Sequence, residues 1–199
     1  MAGQFDPNQA QNLVEIEKQF AVKAVEHAQT YWNILAKIPP RELKLTRYDD
    51  EIFEHTLRDF PEFATAPHER LIALDEEWMK SKEGKERWRV FINTYEKKIT
   101  DYNFGSLIRT DGTKEYSETN TIFVTRIQFY AIEISRNRLG LNDKAHEVAK
   151  EEARKEREEK EKAEKKKAGK KKSDKGKAGQ MGKAGREGEW EGGNHHVSL

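Results

Sequence analysis

Through the first 140 residues of this 199-residue chain apolar side chains return at helical spacing, and after Gly140 that spacing stops. A striped chain buries its stripes against one another, whereas an unstriped, highly charged one has nothing to bury. The pattern therefore predicts one mostly α body, a compact orthogonal helical bundle, with an appendage. The predicted division is a helical domain over 1–141, a charged Glu/Lys helix over 142–169 and a disordered Gly/Lys-rich tail over 170–199. A body of this size buries roughly two thirds of its unfolded surface, enough for an independent core.

Charge divides at the same place. Up to Gly140 there are 20 Lys+Arg against 23 Asp+Glu, a net of −3, and from Leu141 onward 17 against 13, a net of +4. The absence of cysteine excludes disulfides, thiolate zinc sites and a cysteine nucleophile. The opening MAGQFDPNQAQ has neither the basic segment nor the apolar run of a secretory leader. No stretch approaches the roughly 18 apolar residues of a membrane span. A soluble, cytoplasmic protein is expected.

Asp6-Pro7 reads as a helix start, with Asp as N-cap and Pro where a missing N–H costs nothing. The helix runs to Lys37 with two adjoining stripes: Ile16, Phe20, Ala24, His27, Tyr31, Ile34 and Ile38, then Val14, Ala21, Val25, Ala28, Trp32 and Leu35. Pro39-Pro40 stops it. Thr46 is placed to cap a second helix carrying Ile52, Phe53, Leu57 and Phe60, which Pro61 ends; Pro67 opens a short one. A further helix is predicted from Ser81 to Tyr102, weakened by Gly84 in its first turn. Asp111-Gly112 predicts a turn, so a small β-hairpin fits near 104–124, with Ile122, Phe123 and Val124 as an extended segment. Helical spacing resumes at Ile127 and ends near Arg138, with Gly140 as stop. Asp143–Lys167 reads as a solvated helix without a core-facing stripe, and Lys170 onward as disordered.

Candidate chemistry is sparse. His27 lies on an apolar stripe and reads as a core histidine with its hydrogen bond satisfied. His55 follows Glu51 by four residues, a surface pair rather than a metal site, since no second ligand pair and no HExxH exist. Phosphate-loop, dinucleotide and nucleophile-elbow fingerprints are absent, so no cofactor or metal is expected. Lys165–Lys177 holds eight Lys and one Asp. It reads as a solubilising tail or as a weak, salt-sensitive contact to RNA or ribosome.

The stretch Tyr102–Arg138 is different. Arg109, Arg126, Arg136 and Arg138, with Asn103, Asn120, Gln128 and Asn137, are interleaved with large apolar residues. Two readings stay open: these groups satisfy the backbone of an irregular buried segment, or they form a recognition surface around Phe104, Phe123 and Phe129. On the second, the client-binding residues are Asn103, Phe104, Arg109, Asn120, Arg126 and Arg136.

YNFGSLIRTD, YSETNTIF and RIQFYAIEISRNRLG, in that order, resemble the eukaryotic polysaccharide-biosynthesis-domain-containing protein 1 family. AVKAVEHAQTYWNIL, KLTRYDDEIFEHTLRDF and KERWRVF fit the same family, so the resemblance covers about Phe20 to Leu141. It implies a mostly helical domain and a role as dedicated chaperone of new translation elongation factor 1-alpha. Such a chaperone engages the nascent GTP-binding domain at the ribosome with the nascent-polypeptide-associated complex, and releases it on folding and GTP binding. Thr125 stands where the family is expected to carry proline; as a helix cap it preserves the fold. The alternatives are a ribosome- or RNA-associated protein acting through the basic tail and an enzyme of polysaccharide metabolism.

Overall fold

The computed structural model describes the backbone of residues 7–181 and the side chains of residues 15–166. Its order is α1 (Pro7–Leu35), α2 (Asp49–Asp59), α3 (Pro61–Ala64), α4 (Glu69–Ile72), α5 (Glu76–Lys80), α6 (Lys82–Asn93), β1 (Gly105–Arg109), β2 (Thr121–Thr125), α7 (Arg126–Arg138) and α8 (Asp143–Met181). The protein is mostly α, with one two-stranded antiparallel sheet. None of the described helices is long and apolar enough to cross a membrane. Residues as far as Ala153 make one compact unit and those from Arg154 another.

The body is built around α7. From Ile127 to Asn137 nearly every residue of it is buried, and α2, α4, α6 and both strands pack on it. It starts where it does because Thr125 and Gln128 form a capping box: the Gln128 N–H donates to the Thr125 hydroxyl, and the Thr125 N–H donates to Gln128 Oε1 at 2.9 Å. Gly140, with φ of 75°, supplies the left-handed residue beyond its end.

Neighbours cover only half of α1. Ala24, Ala28, Tyr31, Trp32 and Leu35 are buried, whereas Ile16, Phe20, Val22 and Val25 are exposed. Among the described residues the two apolar stripes are buried against the body only from Ala24 on the first and Ala28 on the second. Thr46 does not cap α2. The helix starts at Asp49, whose carboxylate turns back to accept from the Leu45 and Thr46 N–H groups.

α6 is shorter than its spacing predicts. Ser81 caps it, its hydroxyl accepting from the Gly84 N–H at 3.0 Å, but the helix ends at Asn93. Irregular turns carry Tyr95 and Ile99 onward into the core. There, Phe60 stacks on Trp88 at 4.1 Å, with Phe91 at the edge of both rings.

The 1–141 domain boundary requires correction, because the core takes residues from beyond it. Asn142, Ala145 and Ala149 are buried, and the Trp32 indole N–H donates to Glu152 at 2.9 Å. The predicted end of the charged helix near residue 169 also moves, since α8 runs to Met181. Residues 182–199 of the predicted disordered segment, and Asp6, lie outside the described residues.

Gly84 is more than a weak point in a first turn. A Cβ there would stand 2.1 Å from the Trp78 carbonyl oxygen, so glycine allows α5 and α6 their close approach. Gly84→Ala is expected to destabilise the body by about 1–3 kcal/mol, despite alanine's helix propensity. Urea denaturation would measure this; a variant as stable as the parent would show that the approach is not required.

Candidate functional site

The predicted site residues separate into two groups at opposite ends of the hairpin and of α7. Arg109, Asn120 and Arg136 are buried. Asn103 is exposed, while Phe104 and Arg126 are half-buried. As a single contact surface the set of six is therefore not assembled.

The buried group centres on Glu133. Arg109 is buried beside Ile108 at the end of β1, where the inside–outside alternation of the strand breaks, and α7 places Arg136 one turn after Glu133. Arg136 Nη1 lies 2.8 Å from Glu133 Oε1, and Arg109 Nη2 lies 3.1 Å from Oε2. The Tyr31 hydroxyl donates to Oε2 at 2.7 Å and the Asn142 amide at 2.8 Å. All of these groups are withdrawn from water. Two cations face one anion, and carbonyl oxygens supply the remaining compensation. Arg136 donates to the carbonyls of Leu71 at 2.8 Å and Arg109 at 3.0 Å, and Arg109 donates to that of Gly112 at 2.9 Å. The Arg109 guanidinium also faces the rings of Trp32 and Tyr116 at 5.4 and 5.6 Å.

Asn120 has a similar role in the loop. Its Oδ1 accepts from the Asp111 N–H and the Thr110 hydroxyl, each at 2.8 Å, and its Nδ2 donates to the Glu115 carbonyl at 2.8 Å. These three residues satisfy irregular backbone, the first of the two readings of the sequence. Asp111-Gly112 does turn, but inside an eleven-residue connection rather than a tight hairpin.

The second group is at the surface. Phe104 packs on Phe20 of α1 with ring centroids 5.5 Å apart, and the Arg126 guanidinium covers the Phe104 ring at 5.2 Å. Phe123, 60% exposed, lies over Gly105, where a Cβ would come within 2.0 Å of its ring. Ile16 and Phe20 thus offer apolar surface on α1, where Phe104 and Arg126 meet Phe20, and Phe123 offers it on the face of the hairpin that it shares with Leu107.

His27, on the same helix, meets Phe129 edge-on at 4.8 Å, but its buried Nδ1 has no partner, contrary to the satisfied histidine expected. Burial first, and Arg126 second, lower its pKa and favour the neutral ring. His55 is not a surface residue paired with Glu51. It is buried, with Nε2 at 2.8 Å from Asp59 and Nδ1 at 2.9 Å from the Tyr95 hydroxyl. This chain of groups resembles a catalytic relay, but Tyr95 is fully buried, so its oxygen presents no surface to a substrate. No group of three or more metal-ligating side chains occurs among the described residues.

Glu133, Tyr31 and Asn142 were not among the residues predicted from sequence. The available signal was a single carboxylate inside the apolar run AIEI, one turn before Arg136. Burial acts to raise the Glu133 pKa. Arg109 and Arg136, with hydrogen bonds from Tyr31 and Asn142, outweigh it and hold the group down at about 2. A depressed carboxylate stabilises the fold above its unfolded pKa, near 4.3, and that contribution is lost as pH falls towards the folded value. Glu133→Gln leaves two buried cations without their anion and is expected to cost about 3–5 kcal/mol at neutral pH. In urea melts its stability should also fall less steeply than the parent's between pH of about 4.3 and 2. Parallel acid profiles would contradict this account.

Comparison with known proteins places the chain. The family model described as "PBDC1 protein" matches residues 16–147. The protein named "Protein PBDC1 homolog" in Saccharomyces cerevisiae is 54% identical over 139 residues, spanning 70% of this chain and 94% of its own. The Schizosaccharomyces pombe protein of the same name is 53% identical over 143 residues, spanning 72% and 96%. "Protein PBDC1" of Homo sapiens is 40% identical over 131 residues, spanning 66% of this chain and 54% of its own. A solution NMR structure of protein yst0336 from Saccharomyces cerevisiae superposes with a TM-score of 0.63 at 53% identity, covering 71% of this chain and 96% of that one. With a family match over most of the body and a solved relative of the same fold, this chain belongs to the PBDC1 family.

Proposed function

We propose that this protein is a co-translational chaperone that covers the nascent GTP-binding domain of translation elongation factor 1-alpha and releases it once it has folded and bound GTP. The observation that carries this reading is the uncovered apolar surface of Ile16 and Phe20 on α1, where Phe104 and Arg126 meet Phe20, and of Phe123 on the hairpin. Phe20 and Phe123 are 48% and 60% exposed, more than aromatic side chains of a solitary soluble domain usually leave uncovered. The family resemblance supplies the identity of the client, and the nascent-polypeptide-associated complex and the ribosome remain its proposed companions.

A newly made nucleotide-binding domain displays two kinds of surface that this face suits. Its sheet strands are buried on both faces once folded and are therefore apolar along their length. Its phosphate loop is a row of unfilled polar groups until nucleotide arrives. Phe20 and Phe123 suit the first, and the Asn103 amide oxygen, which can accept from the N–H groups of the loop, suits the second. Arg109, Asn120 and Arg136 act at a distance by holding the hairpin in shape. Release requires that the folded, GTP-bound client bind more weakly; a hundredfold difference corresponds to about 2.7 kcal/mol.

Capture from a translating lysate tests the proposal. Full-length protein should recover nascent elongation factor 1-alpha, and GTP should reduce the recovery. Phe20→Ser with Phe123→Ser should lower capture by about tenfold or more. Both side chains are about half exposed or more, so urea stability should change little. Undiminished capture by this stable double variant would remove the face from the mechanism.

A further inference from the structure

We infer that the outer edge of β2 is a docking site for an extended, uncharged strand of a partner chain, which it takes up by backbone pairing. The direction of each backbone group follows from the register. Gly105 to Arg109 pair in order with Thr125 to Thr121, without a bulge. At one end the Arg126 N–H donates to the Phe104 carbonyl, and at the other the Thr110 N–H donates to the Asn120 carbonyl. In an antiparallel ladder the bonded pairs alternate. Ile122 and Val124 therefore bond to β1, while Thr121 and Phe123 turn their N–H and C=O groups away from it. Thr125 also faces outward, but its N–H is taken by Gln128.

The two edges of the sheet are not alike. β1 is covered: α1 packs on it, and Arg136 donates to the Arg109 carbonyl, which points away from β2. β2 packs on β1 and α7, and its middle residue, Phe123, is 60% exposed. Soluble proteins ordinarily protect an open edge with a lysine, a proline or a bulge. β2 reads Thr-Ile-Phe-Val-Thr: it has none of these, and every residue favours strand structure.

The edge itself dictates its occupant. Donors and acceptors at every second residue match only another extended backbone. The absence of charge from Thr121 to Thr125 selects a neutral, β-branched or aromatic segment, since a charged side chain would find no opposite charge along the strand. Phe123 shares its face of the sheet with Leu107, its partner across the ladder, so side chains of the added strand would extend the apolar surface of that pair. Resting on the function proposed above, the occupant is a client strand not yet paired in its own sheet.

Amide exchange on the full chain tests this. The probe is a short blocked peptide of alternating valine and threonine with a lysine at each end, beside its fully N-methylated analogue. The peptide should slow exchange at Thr121 and Phe123, the analogue should not, and Phe123→Lys should weaken the effect about tenfold. Unchanged exchange at those two amides overturns the proposal, as does equal protection by the N-methylated analogue, which signals side-chain adhesion. Protection that grows with protein concentration in the absence of peptide assigns the edge to a second copy and also overturns it. Capture of the client separates the two ideas. A Phe123→Lys protein that loses peptide pairing but still captures elongation factor 1-alpha overturns the edge as the client's route and leaves the function standing. A paired peptide with no captured client overturns the function and leaves the edge.

Discussion

The body depends on one carboxylate held between two arginines. Glu133 is the only anion of a buried cluster that ties α1 through Tyr31, β1 through Arg109, the start of α8 through Asn142, and its own helix through Arg136. Bringing three charges out of water costs several kcal/mol per ion, and the attraction among them offsets this only where every remaining donor also finds an acceptor. Here the acceptors are backbone carbonyls at the short helix α4 (Leu71), at the end of β1 (Arg109) and in the loop that follows it (Gly112). The exchange is mutual. The loops would be left with unbonded buried carbonyls without the arginines, and the arginines would be left with an uncompensated charge without the loops.

That dependence connects interior to surface. α7 carries Arg136 near its C-terminal end, inside the core, and Arg126 at its first position, where it lies over Phe104. β1 carries Arg109 at its inner end and starts at Gly105, against which Phe123 rests. Both elements that present the aromatic face are therefore fixed at their far ends by the same buried charges. The geometry of the surface at one end follows from the packing of buried charges at the other.

Much of this was legible in the sequence because helical spacing reports burial directly. Thr125 as cap, Gly140 as stop, and the pairing of the segments around Leu107 and Phe123 all follow from local chemistry. What the sequence hid was distance along the chain. Nothing near Trp32 indicates that Glu152 meets it, so the body's boundary was drawn too early. His55 has acidic residues four positions away on both sides, Glu51 and Asp59; only the packing of Tyr95 against its other nitrogen shows which face turns inward. Arginine and asparagine types predicted polar work but not its direction. Arg109, Asn120 and Arg136 do that work inside, Arg126 at the surface, and the difference depends on which end of a strand or helix each occupies.

α1 shows a further consequence. Its C-terminal half is locked by Tyr31, Trp32 and Leu35, while the half bearing Ile16 and Phe20 extends past the core. Winding and unwinding there need not disturb the rest of the molecule, because local opening is governed by the contacts a segment itself makes. The population of intact helix in that half sets how often Ile16 and Phe20 are held in helical register with the buried residues that follow them. Solvent-facing residues such as Lys18 therefore act on that population through helix propensity alone.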